Sequence, residues 1–296
     1  MSTRPLTPVL LGLAGGTAAV TLLGPFGAGL LRPRTSPSGA AQLLGADVAG
    51  LLVVVPLCVV AAVLAWREHP VAAPLALGPS GFAAYTFTQY AVGQEWLTYP
   101  GTVERFVPLL LGLVVLGGTG LALAWTAAAD VPPVGRRLER TVGATLLVLA
   151  VFLVVGLHLP TLLDAMSPVP TGSEYLATPT AFWLVKLMDL ALLVPLAVAT
   201  GVGLLRHRAW ARRPMYAVLG TYTLVGTSVV AMAVVMLVRD VDGASVPLAL
   251  GLALFTSVFW VLTVAALRPL RRPRAARRPV SGDVLRLPAP AGRTRS

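Results

Sequence analysis

The chain has 296 residues, of which 56% are hydrophobic and 12% charged. A soluble domain carries about 25% charged residues, so the composition excludes a soluble enzyme and indicates several membrane spans without a large extramembrane domain. The net charge of +11 does not point to nucleic acid, because the arginines flank the apolar runs and nine of them lie between Arg268 and Arg295, the pattern of membrane topology.

Eight apolar segments reach spanning length, at about 8–31, 46–66, 71–93, 106–128, 142–160, 180–205, 215–238 and 245–267. The expected fold is an all-α transmembrane bundle of about eight spans over residues 1–268. An Arg- and Pro-rich tail, 269–296, follows and is expected to be disordered. The first segment is long for a signal-peptide core and its n-region holds only Arg4, so it reads as a retained helix. Cys58 lies in the second apolar run, where a lone thiol makes neither a disulfide nor a metal cluster.

The third segment is the most polar. Gly78-Pro79-Ser80-Gly81 interrupts it, and Tyr85, Thr86, Thr88, Gln89 and Tyr90 follow. Tyr85 and Gln89 share one helix face. A Gly/Pro-broken span with a polar stripe suits a transporter site or, equally, hydrogen bonds between helices. In the fourth segment Gly112, Gly117, Gly118 and Gly120 permit close helix packing. Between the third and fourth segments, and near the end of the eighth, Trp96, Tyr99 and Trp260 read as interface anchors.

The fifth segment ends in Gly156-Leu157-His158-Leu159-Pro160. His158 raises the question of an intramembrane serine protease, since Gly78-Pro79-Ser80-Gly81 is similar to the Gly-x-Ser-Gly element of rhomboids. The glycine spacing that follows a rhomboid histidine is missing, and Ser80 and His158 fall at different depths. The connection from 159 to 178 mixes apolar residues with Pro160, Pro168 and Pro170, and should pack on the bundle as a cap or short interfacial helix.

The sixth segment holds Lys186, the single lysine among 23 basic residues, three positions before Asp189. Charges at this depth are costly and are neutralised or used. Residues i and i+3 lie on one helix face, so the two side chains are expected to neutralise each other, with Pro195 freeing the Ala191 carbonyl nearby. The pair reads as a proton relay, a substrate counter-charge or a structural lock. Lys186, Asp189, Tyr85, Gln89 and Glu174 are the candidate substrate or ion pathway. No zinc, P-loop or dinucleotide signature is present, so neither metal nor cofactor is expected. A retinal Schiff base is disfavoured, because the lysine is in the sixth of eight spans rather than the last of seven.

Placing both termini in the cytoplasm puts Arg4, Arg67, Arg136, Arg137, Arg140, Arg206, Arg208, Arg212, Arg213 and the tail inside. Arg32, Arg34, Arg105 and Arg239 remain outside with Asp47, Glu95, Glu104, Asp164, Glu174, Asp240 and Asp242. Arg268, Arg271, Arg272, Arg274, Arg277 and Arg278 then face anionic lipid, the one partner expected from charge. The stretches from Gly78 to Tyr90 and from Pro179 to Asp189 together resemble a group of actinobacterial multi-pass membrane proteins. That resemblance covers spans three to seven and implies an eight-helix plasma-membrane protein without bringing an activity. A small-solute or proton-coupled transporter-like protein, a non-catalytic partner or sensor subunit, and a membrane-embedded hydrolase remain as function classes. The orientation has a direct check: in a Cys58→Ala background, cysteines at Gly172 and Glu104 should label from outside with an impermeant thiol reagent and one at Arg208 should not. Labelling at Arg208 alone would reverse it.

Overall fold

The computed structural model of the protein describes residues 2–241 and 244–271, and contains helices and no strand among them. The first helix is α1 (Leu6–Leu23). Next, α2 (Pro37–Ala49) and α3 (Val55–Trp66) run on through a π turn, Gly50–Val54. They are followed by α4 (Ala72–Val92) and α5 (Val107–Ala127). A second π turn, Phe152–His158, joins α6 (Arg136–Val151) to α7 (Leu159–Ala165). The short α8 (Ser173–Ala177) precedes α9 (Pro179–Lys186), which meets α10 (Val194–Leu205) through a third π turn, Leu187–Leu193. The last two are α11 (Arg212–Val238) and α12 (Val246–Leu267).

Seven of these continuous helical stretches are long and apolar enough to cross a membrane. The expected third span is the long helix that does not meet that criterion. Its 21 residues include the polar stripe from Tyr85 to Tyr90, and Pro79 lies inside it. Fourteen of them are buried against neighbouring helices, chiefly α5, α11 and α3. The apolar lipid-facing surface is therefore supplied by those neighbours, which lets α4 be polar.

Each π turn has the same local cause. Pro56, Pro160 and Pro195 each lie two residues past the end of a π turn. Proline has no N–H for the carbonyl four residues back, and its ring clashes with that carbonyl, at a cost of about 3 kcal/mol in a regular helix. The wider turn moves the carbonyls of Leu52, Gly156 and Ala191 out of the way while the chain stays helical. The expectation of a freed carbonyl at Ala191 becomes, in the structure, a whole turn of altered register.

Glycines set the closest helix crossings. A Cβ on Gly78 would fall 3.0 Å from the Cα of Gly220, fixing α4 against α11. One on Gly117 would lie 2.6 Å from the backbone nitrogen of Ala84, and one on Gly120 2.4 Å from Ser80 Oγ, so two of the four expected α5 glycines do pack on α4. Gly112 and Gly118 face open space. Gly143 and Gly201 meet between α6 and α10, each 2.9 Å from the other's carbonyl oxygen by the same construction.

The arginine-bearing connections gather at one end of the bundle. Arg4 pairs with Glu68, Arg212 Nε donates to the buried Glu139 at 2.8 Å, and Arg213 reaches the carbonyl of Ala129. The opposite end has its own ties. Arg34 makes two hydrogen bonds to Glu104, at 2.7 and 3.1 Å, and a third to the carbonyl of Tyr99. An arginine that breaks the charge rule is thus neutralised locally. Glu95 is buried rather than solvated. Its carboxylate accepts from the backbone N–H of Thr180 and Ala181 and from Thr180 Oγ1, capping α9 from the segment after α4. The tail from 272 onward, with Arg272, Arg274, Arg277 and Arg278, lies outside the described residues, as does Asp242.

The crossings make unequal demands on neighbouring glycines. Gly117→Ala should destabilise the folded protein in detergent by about 1–3 kcal/mol through overpacking. Gly118→Ala, into open space, should be neutral or raise the melting temperature slightly, since alanine is about 1 kcal/mol better than glycine inside a helix. Equal melting shifts for the two would contradict the packing described.

Candidate functional site

Asp189 sits in the π turn Leu187–Leu193, and the residue is buried, 8% exposed. It does not pair with Lys186. Tyr85, from α4, donates its hydroxyl to Asp189 Oδ1 at 2.6 Å. His158, from the π turn Phe152–His158, meets Asp189 Oδ2 through Nε2 at 2.9 Å. With the carboxylate ionised, Nε2–H is the donor. Three helical stretches thus converge on one carboxylate, and each of its oxygens has a partner.

The expected Lys186–Asp189 neutralisation is therefore corrected. Among the described residues no ion pair joins them. The Lys186 ammonium lies instead 4.0 Å from the centroid of the Phe182 ring, one turn back on the same helix. Phe182 is in edge contact with both Tyr175 and Trp183, so the cation rests on an aromatic cluster. The physical reason is the π turn. Spacing of three places two residues on one face of a regular α-helix, but Lys186 is the last residue of the α-helical run and Asp189 already belongs to the wider turn. Glu174 and Asp189 both remain within electrostatic reach of the ammonium.

Of the other candidates, Tyr85 is at the centre of the site, with Gln89 one turn further along α4. Glu174 lines a pocket of about 220 Å³ at the acidic end, together with Thr161, Asp164, Tyr175 and Phe182. Phe182 is shared between this pocket and the Lys186 contact. The expected short helix in the 159–178 connection is α8. Asp164 secures it by accepting from the backbone N–H of Thr171 and Gly172 and from Thr171 Oγ1.

Two participants were missed from sequence. His158 was weighed only as a partner for Ser80, and it bonds Asp189. The Ser80 hydroxyl is buried without a hydrogen-bond partner, so no serine–histidine dyad forms. Tyr222, on α11, is the second phenol close enough to interact with Asp189, and its hydroxyl is also unpartnered. A histidine two residues before a proline and an aspartate six residues before one were the available signals. Both prolines mark π turns, which often accompany functional sites.

The chemistry open to this arrangement is proton transfer. His158 Nδ1 is buried without a partner while Nε2 is engaged, so the ring can accept a proton on one nitrogen and release one from the other. Among the described residues no group of three or more His, Cys, Asp or Glu could hold a metal ion. Comparison of the chain with protein-family models, with curated proteins and with solved structures finds no match.

Double-mutant cycles test these pairings. His158→Ala with Asp189→Asn should show a coupling of about 1–3 kcal/mol in detergent unfolding, and Tyr85→Phe with Asp189→Asn a smaller coupling of the same sign. Lys186→Met with Asp189→Asn should be nearly additive. Strong Lys186–Asp189 coupling without a His158 term would restore the pair expected from sequence.

Proposed function

We propose that this is a multi-pass plasma-membrane protein of transporter-like type, with both termini cytoplasmic, that moves a proton through the Tyr85–Asp189–His158 site. The observation that carries the reading is the buried carboxylate held by a phenol and an imidazole whose second nitrogen is free. In a bilayer such a group is costly and is retained for use.

The steps balance without any added cofactor. A proton arriving at His158 Nδ1 gives an imidazolium beside the Asp189 carboxylate. Nε2–H then passes its proton to Oδ2 across 2.9 Å, leaving neutral histidine and neutral aspartic acid. Tyr85 holds Oδ1 throughout, which fixes the carboxyl plane. On the acidic side, the pocket lined by Asp164 and Glu174 is the proposed approach, and it shares Phe182 with the Lys186 contact. The small solute coupled to this movement is one that fits the pocket. At the opposite end, anionic headgroups are the lipid partner of Arg268.

A second reading, a partner or sensor subunit, is favoured by one observation. A largely apolar cleft of about 420 Å³ opens between α3 and α12, floored by α4 and α11, and lined by Leu57, Leu64, Leu75, Leu219, Trp260 and Leu267 among others.

Reconstitution into liposomes containing a pH-sensitive dye separates the two. Under an imposed pH gradient, with potassium and valinomycin clamping the potential, wild type should conduct protons. Asp189→Asn and His158→Ala should reduce the flux at least ~100-fold, as expected for loss of a proton-transfer group. Tyr85→Phe should keep a reduced flux. Wild-type liposomes no leakier than empty ones, or Asp189→Asn conducting like wild type, would overturn the proposal.

A further inference from the structure

Another buried carboxylate lies apart from the Asp189 network. Asp47 was expected in an outer loop, but it is ten residues inside the helix that begins at Pro37, about 15 Å along it at 1.5 Å per residue. It is 6% exposed, and its Oδ2 has no hydrogen-bond partner. Among the described residues no arginine, lysine or histidine forms an ion pair with it. An ionised carboxylate in this position is untenable without a positive partner.

Its backbone neighbours add acceptors. The last carbonyls of α1 lie here, that of Val20 already accepting from the Gly24 N–H at 2.8 Å and keeping a second lone pair. A Cβ built on Gly24 would lie 2.9 Å from the Val20 carbonyl oxygen, 3.0 Å from Asp47 Oδ2 and 3.5 Å from the Thr21 carbonyl oxygen, so the three oxygens converge on one side of Gly24. Thr21 would normally have its carbonyl satisfied by the N–H four residues on, but that residue is Pro25, which has none. A helix C-terminus also carries a partial negative charge. The Thr21 hydroxyl is turned away from the carboxylate, donating to the Asp47 backbone carbonyl at 3.3 Å. Tyr90, on α4, is 3% exposed and leaves its hydroxyl unpartnered within electrostatic reach of Asp47.

We propose that Asp47, the Val20 and Thr21 carbonyls and the Tyr90 hydroxyl form a site for one monovalent cation, sodium or a proton, separate from the Asp189 network. Hard oxygen donors, a helix C-terminus and an unpaired carboxylate are the ligand set that coupling cations take in membrane proteins. The bound cation neutralises Asp47 and links α1, α2 and α4. The site does not depend on proton movement at Asp189 and stands if that reading fails.

The test uses the purified full chain in detergent. Its melting temperature is measured in sodium chloride and in choline chloride at equal ionic strength, and its infrared spectrum is searched for a neutral carboxyl band. If the cation is sodium, wild type melts higher in sodium chloride, Asp47→Asn loses that response, and Tyr90→Phe weakens apparent sodium affinity about tenfold, the effect of removing one oxygen ligand. If it is a proton, sodium has no effect and a neutral carboxyl band is present in wild type and absent in Asp47→Asn. Should Asp47→Asn not fold, Asp47→Glu must change the sodium affinity or shift the band. In either case Asp189→Asn leaves the Asp47 signal in place. A wild type with neither response, or a sodium response identical in the Asp47 variants, overturns the proposal.

Discussion

Backbone hydrogen bonding inside a bilayer is the constraint from which the rest of this structure follows. Lipid offers no partner for a freed N–H or carbonyl, so a spanning segment must satisfy its own. Pro56, Pro160 and Pro195 each violate that requirement within a continuous helical stretch, and each is accommodated by one π turn rather than by a break. The accommodation rotates the following residues relative to a regular helix. It also accounts for what is polar in the apolar spans. His158 and Asp189 lie within the second and third turns, and Asp47 lies three residues before the first.

The other organising element is α4. A helix with Ser80, Tyr85, Thr88, Gln89 and Tyr90 is a poor membrane helix by composition, and it is kept from lipid by tight crossings on both sides. Gly220 and Gly117 let α11 and α5 approach its backbone closely enough to leave little room for lipid or water. This enclosure puts one phenol, Tyr85, in contact with the Asp189 carboxylate and leaves a second, Tyr90, buried without a hydrogen-bond partner. The apolar burial is spread over two clusters, one toward the arginine-bearing end and one toward the other. Alanines are frequent in the first cluster, beside leucines, valines and aromatic residues.

Much of the architecture was legible in the sequence because hydropathy and arginine placement are direct readouts of the bilayer. The helical class, the long segments and the gathering of arginines at one end all follow from them. The site was half legible. Lys186, Asp189, Tyr85 and Glu174 stand out as polar groups in apolar surroundings, and the structure brings Tyr85 and Asp189 together. Their partnership was not readable. Spacing arguments see neighbours along one helix, and they assume 3.6 residues per turn, which fails at Leu187–Leu193. His158 and Tyr222 come from other helices, so nothing near Asp189 in the sequence signals them. Asp47 was misplaced because Gln42, Gly45 and Asp47 look like the polar lead-in to a span when they are already part of one.

Glu95 gives the assembly a mechanical character. By capping α9 from the segment after α4, it ties the acidic ends of these two helices, and Tyr85 holding Asp189 repeats the tie further in. Past the third π turn, α10 is bound instead to α6 through the Gly143–Gly201 crossing. The span from Pro179 to Leu205 is therefore tied to α4 before its π turn and to α6 after it. A displacement of one attachment relative to the other would have to be taken up at Leu187–Leu193, where Asp189 would give up either its bond to Tyr85 or its bond to His158.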